Sequence, residues 1–170
     1  MHRPPKVWTI VVGGGSGQRF GRPKQYERLG DERIIDRSRR IAREVSDGVV
    51  VVVPEADAGR ERGVAGGDSR SSSVRAGLAE VPGDCDIVCV HDAARPLASA
   101  ELYRSVISAV ADDEGDPIDG AIPGVPVADT IKVVDGDGRV LTTPDRASLV
   151  AVQTPQAFRA TSLRRAHESG

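Results

Sequence analysis

The stretch VWTIVVGGGSGQRFGRPKQY, residues 7–26, decides how this chain is to be read. Val7 to Val12 carry no charge and do not alternate with polar residues, which suits a strand covered on both faces, as in a parallel sheet. Gly13, Gly14, Gly15, Ser16 and Gly17 come directly after it. Glycine lets the backbone approach a ligand closely, and successive N–H groups in such a turn form a concavity for an anion. In open α/β sheets, ligands bind outside the carboxyl ends of the strands. The turn is therefore placed for phosphate; a plain strand-to-helix turn is the alternative.

Two common nucleotide fingerprints fail here. A dinucleotide loop needs a third glycine, but counting from Gly15 its position holds Phe20, and counting from Gly13 it holds Gln18. A P-loop needs Lys and Ser/Thr directly after its second glycine. The basic residues instead come later, at Arg19, Arg22 and Lys24. This suggests a longer loop folding over a triphosphate, with Arg19 and Lys24 neutralising charge on a transferring phosphoryl group and on departing pyrophosphate. A solvated surface pair is the alternative for these two.

Outward from this stretch, ERIIDRSRRIAREV has apolar residues at helical spacing, and GVVVVVP (48–54) is a second buried strand. GGDSRSSSVRAGLAEV reads as a turn and a serine-started helix; DIVCV (86–90) is a third buried strand. Ser99 suits an N-cap for the helix that follows. GAIPGVPV reads as a strand interrupted by prolines, DTIKVVDGDGRVLTT as a hairpin, SLVAVQTPQAF as an extended piece and SLRRAHESG as a helix start. The alternation predicts an α/β fold: a Rossmann-like three-layer sandwich with a mostly parallel sheet. The hairpin breaks the alternation as an inserted arm at about residues 127–151. With no linker or repeat dividing the chain, residues 1–170 are read as a single domain.

With 170 residues and 39% hydrophobic content, the chain can build a core. The formal net charge of −2 gives no overall basic field for nucleic acid. No apolar run is long enough for a membrane span, and the N-terminus does not read as a signal peptide. Cys85 and Cys89 stand four apart, expected on one face of a strand and too far apart for a disulfide. They read as small core residues, and a cytoplasmic location follows.

Two further stretches bear chemistry. In VHDAARP, Asp92 at a strand's carboxyl end could hold Mg2+, directly or through water, or accept sugar-like hydroxyls. Arg95 could clamp a phosphate. A lone His91–Asp92 pair is weak support for a metal hydrolase, and a helix-start acid with a structural Arg is the alternative. In DTIK and TPDRASL, Thr130, Lys132 and Arg146 lie on or near the arm. A projecting hairpin calls for a cover, and a second subunit would supply one.

In order, the chain carries GGGSGQR, PKQY, GGDSRSSSVRAGL, VHDAARP, PVADTIK, TPDRASL and QTPQAF. The set resembles the 2-C-methyl-D-erythritol 4-phosphate cytidylyltransferase family of the non-mevalonate isoprenoid pathway, over nearly the whole chain. Ribitol- and glycerol-type alditol-phosphate cytidylyltransferases share much of it. The resemblance implies a nucleotide-diphospho-sugar transferase-like fold, a homodimer formed through the arm, and cytidylyl transfer from CTP with Mg2+. It implies that Gly13, Gly14, Gly15, Ser16 and Gly17 hold the CTP phosphates, and that Arg19 and Lys24 stabilise the transition state. Gly67, Asp68 and Ser73 would lie near cytosine and ribose, and Asp92 and Arg95 would face substrate and metal. Thr130, Arg146 and Thr154 would bind the sugar phosphate, some across the dimer. Another alditol phosphate as substrate, or a non-catalytic CTP-binding module, are the alternatives.

The chain departs from the family twice. Gly13-Gly14-Gly15 stands where the family usually has Ala-Ala-Gly. Family chains also continue past the position of Gly170 with a Thr-Asp-Asp segment, a strand bearing a functional lysine and a last helix, so the sequence reads as C-terminally truncated, with a divergent member of the family as the alternative.

Overall fold

The computed structural model describes residues 3–14, 23–112 and 118–168. In chain order the strands are β1 (Val7–Val12), β2 (Arg28–Leu29), β3 (Glu32–Arg33), β4 (Gly48–Val53), β5 (Val64–Ala65), β6 (Ile87–Asp92), β7 (Gly120–Ala121), β8 (Gly124–Pro126), β9 (Val133–Val134), β10 (Val140–Thr142), β11 (Val150–Val152) and β12 (Gln156–Arg159). The helices are α1 (Ile34–Arg43), α2 (Glu55–Glu61), α3 (Arg70–Ala79), α4 (Ala100–Ala111) and α5 (Ala160–Glu168).

The central sheet has the order β5-β4-β1-β6-β12-β7. β1 is parallel to β4 on one side and to β6 on the other, and β12 is antiparallel to β6. The chain builds outward from β1 through β4 and β5, then returns to lay β6 against β1's free side. The strand order therefore reverses between β1 and β6, the place where such sheets open a crevice.

Strand alternation divides the core into two layers. On one face Val7, Val11, Val51, Val53, Ile87 and Cys89 pack with Ile35 and Ile41 of α1 and Tyr103, Val106 and Val110 of α4. On the other, Ile10, Val50, Val52, Val88 and Val90 pack with Val74 and Leu78 of α3 and Leu163 of α5. Each fully buried Val or Leu contributes about 1.5–3 kcal/mol, so both layers are strongly driven. The three-layer sandwich expected from the alternation is what forms. Cys85 and Cys89, by contrast, lie in opposite layers, because Cys85 precedes β6 and strand alternation does not reach it. Both are buried free thiols, and desolvation pushes the Cys89 thiol up to about 12.

The serine-rich stretch starts α3 as expected. Ser69 Oγ accepts from Ser72 N–H at 3.0 Å, and Ser72 Oγ accepts from Ser69 N–H at 2.9 Å, a reciprocal cap. Ser99 caps α4 by accepting from Leu102 N–H at 3.3 Å. Helix α2 has no counterpart in the sequence reading, where Pro54 only ends a strand. Pro54 stands at its N-cap, with Glu55 and Asp57 in its first turn, and Arg62 ends it in the left-handed region at φ 49°.

The arm is longer than its expected span of 127–151. β8 and β11 pair antiparallel at its base, with Val125 opposite Ala151, and β9 pairs with β10 beyond them. Val125, Val133, Val134, Val140, Leu141, Val150 and Val152 are all exposed.

Glycine positions carry opposite packing demands. A Cβ on Gly77 would fall 2.6 Å from Ile10 Cγ2 and 2.9 Å from Val52 Cγ2, where α3 lies flush on the sheet. A Cβ on Gly13 would meet Ala93, Val52 and Ile35 at 3.4–3.5 Å, in ordinary contact and without a positive φ. Gly77→Ala should therefore destabilise by about 1–3 kcal/mol in urea unfolding, overriding its gain in helix propensity. Gly13→Ala should hold or raise stability, by up to about 1 kcal/mol. A shift of the same sign in both variants would contradict this packing.

Candidate active site

The carboxyl ends of β1 and β6 are held side by side. Gly13 N–H donates to Val52 O at 2.7 Å, and Ala93 N–H donates to Val12 O at 2.9 Å. Gly13 thus leaves the sheet next to Asp92, the last residue of β6. Gly15, Ser16, Gly17 and Arg19 lie outside the described residues.

Asp92 sits between two guanidinium groups. Arg70 Nε donates to its Oδ1 at 3.0 Å, and Arg95 Nε lies 3.4 Å from its Oδ2. Arg70 also donates to Gln156 Oε1 at 3.4 Å, and Arg95 to Gln153 Oε1. These side chains are 31–48% exposed, so each pair is worth little, about 0–1 kcal/mol, and can yield to a ligand. The result is a partly exposed carboxylate between two partly exposed guanidinium groups at the carboxyl end of β6.

Beneath Asp92 the polar groups are buried. Asp92 N–H donates to Thr154 Oγ1 at 3.2 Å, and that hydroxyl lies 3.0 Å from His91 Nδ1. Thr154 is only 5% exposed, so here its hydroxyl faces inward and supports the end of β6, where the sequence reading expects it to touch substrate. Desolvation drives the His91 pKa down to about 4, which keeps the imidazole neutral. His91 is thus a buried support for its neighbours; a metal-hydrolase role is not favoured by this setting.

The other expected residues fall into three groups. Gly14 and Gly67 converge on the start of α3. A Cβ on Gly14 would stand 3.3 Å from Ser73 Oγ, which itself donates to Gly67 O at 3.3 Å. Asp68 is exposed just before this helix. Lys24 is exposed in the 3-10 turn Lys24–Tyr26, next to buried Gln25. Thr130 and Arg146 are exposed on the arm, where Arg146 Nη1 donates to Ala128 O at 2.9 Å.

Sequence reasoning missed Arg70, Gln153 and Gln156. Arg70 reads only as part of a serine-rich helix start, although it is the one basic residue in GGDSRSSS. The glutamines flank Thr154-Pro155 in QTPQ, and their polar character at a strand start was the available signal. Among the described residues, no group of three or more His, Cys, Asp or Glu could hold a metal. A single carboxylate still suits Mg2+, which takes one or two carboxylates and completes its shell with phosphates and water.

The chain matches the family model described as IspD, 2-C-methyl-D-erythritol 4-phosphate cytidylyltransferase, over residues 7–170. It is 46% identical to the 2-C-methyl-D-erythritol 4-phosphate cytidylyltransferase of Frankia casuarinae, covering 91% of this chain and 61% of that protein. It is 42% identical to a bifunctional enzyme IspD/IspF of Anaeromyxobacter dehalogenans, covering 98% of this chain and 46% of that one. The chain thus spans about half the length, or less, of several curated relatives it matches. The crystal structure of 4-diphosphocytidyl-2C-methyl-D-erythritol synthase from Anaerococcus prevotii superposes with a TM-score of 0.80 at 26% identity, covering 97% of this chain and 74% of that one.

Burial of His91 gives a pH dependence with a definite sign. Its folded pKa lies below the unfolded value of about 6.5, so the unfolded chain binds the extra proton between the two. This contribution is whole above about pH 6.5 and is lost as pH falls towards about 4, at up to about 1.4 kcal/mol per pH unit. In urea unfolding, His91→Asn should flatten the slope in that window by up to one proton. An unchanged slope would contradict a buried neutral imidazole.

Proposed function

Because the chain belongs to the 2-C-methyl-D-erythritol 4-phosphate cytidylyltransferase family, we propose that it transfers the cytidylyl group of CTP to 2-C-methyl-D-erythritol 4-phosphate. The observation that carries this reading is the pairing of a glycine turn with Asp92 and its two arginines where the strand order reverses.

In this reaction a phosphate oxygen of the sugar phosphate attacks the α-phosphorus of CTP. A new P–O bond forms, the bond from the α-phosphorus to its bridging oxygen breaks, and pyrophosphate leaves with that electron pair. A phosphate monoester is largely dianionic near neutral pH, its second pKa being about 6, so the attack needs no general base. The demand on the protein is to position two anions and neutralise the charge that develops. The glycine turn from Gly13 to Gly17 would take the triphosphate, with Arg19 and Lys24 meeting the α-phosphate and the leaving pyrophosphate. Gly67, Asp68 and Ser73 would face the nucleoside. Asp92 would hold Mg2+, directly or through water, and the ion would supply further charge neutralisation on the phosphates.

Arg95, and Thr130 and Arg146 of the arm, would take the sugar phosphate, with Thr154 holding Asp92 in place. A homodimer would complete this site. The exposed valines and Leu141 of the arm support it, since a projecting two-stranded ribbon with apolar faces is marginal in water without a partner. A cytoplasmic setting fits these substrates.

Lys24→Ala or Arg19→Ala should lower kcat for pyrophosphate release by a factor of about 100–1,000, the range for removing one transition-state donor. Near-normal turnover in either variant would overturn its role. CTP binding without any pyrophosphate release would instead favour a nucleotide-binding module. Leu141→Asp should shift sedimentation from dimer to monomer; a monomeric parent chain would overturn the arm-mediated dimer.

A further inference from the structure

Lys24 stands outside the central sheet. Its turn, Lys24–Tyr26, needs some other means of being held if the ammonium is to meet a phosphate within a fraction of an ångström. Tyr26 packs in part against the core layer that holds Ile35 and Tyr103, and polar contacts from α2 add to that hold.

Tyr26 Oη donates to Asp57 Oδ2 at 2.6 Å. The guanidinium of Arg60 lies over the Tyr26 ring, with Cζ 4.7 Å from the centroid. Arg60 is itself tied to Asp57 at 3.1 Å and to Glu61 at 3.0 Å. Arg33 closes the ring from the other side. It donates to both oxygens of Glu61, at 2.9 and 3.0 Å, and to both of Asp36, at 2.6 and 2.9 Å. Its Cζ stands 6.0 Å from the Tyr26 centroid.

This cluster differs from ordinary surface ion pairs. Glu61 is 3% exposed, and a buried carboxylate is tolerated only when paired and hydrogen-bonded. The hydrogen bond from Arg33 holds its carboxyl below the usual range against the opposing effect of burial. Burial, then the bond to Asp57, pushes the Tyr26 phenol up to about 12, so it stays a proton donor across the working range. Glu27 O accepts from Ile34 N–H at 2.9 Å, which fastens the far side of the turn to the start of α1. Helix α2 follows β4 directly, at the carboxyl edge of the sheet where the glycine turn also emerges.

We propose that Tyr26 is a positioning residue for Lys24, held by Asp57 and Arg60, with the Arg33–Glu61 pair anchoring α2 to the same segment. This rests on the reading of Lys24 as a triphosphate contact. The cation–π contact on the ring and the hydrogen bond from its hydroxyl hold the turn in two directions, which a purely apolar contact would not do. Small displacements suffice to matter, since a misplacement of about 1 Å can cost about 100-fold in rate.

The test is a double-variant cycle on the full chain: parent, Tyr26→Phe, Lys24→Ala and both together. Pyrophosphate release from CTP gives kcat and KM, calorimetry gives affinity for inorganic triphosphate, and thermal melting monitors folding. Tyr26→Phe should lower kcat about tenfold, leave KM for CTP within about twofold, and have almost no effect once Lys24 is absent, because coupled residues are non-additive. Asp57→Ala removes the same hydrogen bond from its other end and should show the same dependence on Lys24. It carries the test if Tyr26→Phe melts early. If Lys24→Ala changes neither turnover nor triphosphate affinity, the reading of Lys24 fails and the proposal with it. If Lys24→Ala is impaired but Tyr26→Phe and Asp57→Ala cost as much without Lys24 as with it, positioning is overturned while the reading of Lys24 stands.

Discussion

The carboxyl end of β1 is bonded to both of its neighbours at once: Gly13 N–H to Val52 O of β4, and Val12 O to Ala93 N–H just past β6. The proposed site depends on this constraint. The chain builds outward through β4 and β5 and then returns to lay β6 against β1, so the strand order reverses there, and the chain leaves the carboxyl ends of both strands side by side. The glycine turn and Asp92 become neighbours although about eighty residues of sequence separate them. The two apolar layers supply the driving force, but they would be satisfied by many α/β arrangements. The pinned seam selects which chain ends meet at the proposed site.

Polar groups near the seam follow a gradient of burial. Deepest are Ser38, His91 and Thr154, each nearly inaccessible. Ser38 donates to Ala93 O at 3.0 Å, and Thr154 joins His91 to the Asp92 backbone. An unpaired polar group at such depth costs about 1–3 kcal/mol, so these contacts make the end of β6 rigid. Above them Asp92, Arg70 and Arg95 are partly exposed and only weakly committed to one another. Rigid support beneath exchangeable charge is a suitable arrangement for receiving an anion. A second polar cluster, around Tyr26 and Glu61, gives comparable support to the Lys24 turn from outside the sheet.

Much of the fold was legible from local pattern. VWTIVV and GVVVVVP show no alternation because both their faces are covered, and the serine-rich start of α3 announces its own cap. Helix α2 was not legible, because its seven residues are too few for a helical stripe and its stability comes from Arg33, Arg39 and Tyr26 elsewhere in the chain. The opposite placement of Cys85 and Cys89 was hidden for a related reason: the strand begins two residues after Cys85, so its alternation does not govern that side chain.

For the proposed site, residue type and order in the sequence nominate the glycine turn, Lys24, Asp92 and Arg95, because phosphate chemistry calls for bare backbone and cations. The sequence also determined the layered α/β class, since hydrophobic period and capping are properties of neighbouring residues. Only the tertiary structure decided that Arg70 joins Arg95 on Asp92, with Gln156 accepting from Arg70 and Gln153 from Arg95, that Thr154 turns inward to His91, and that α2 grips the Lys24 turn. Those are long-range pairings of polar groups. Their partners are chosen by which chain ends the sheet brings together, and no local periodicity carries that information.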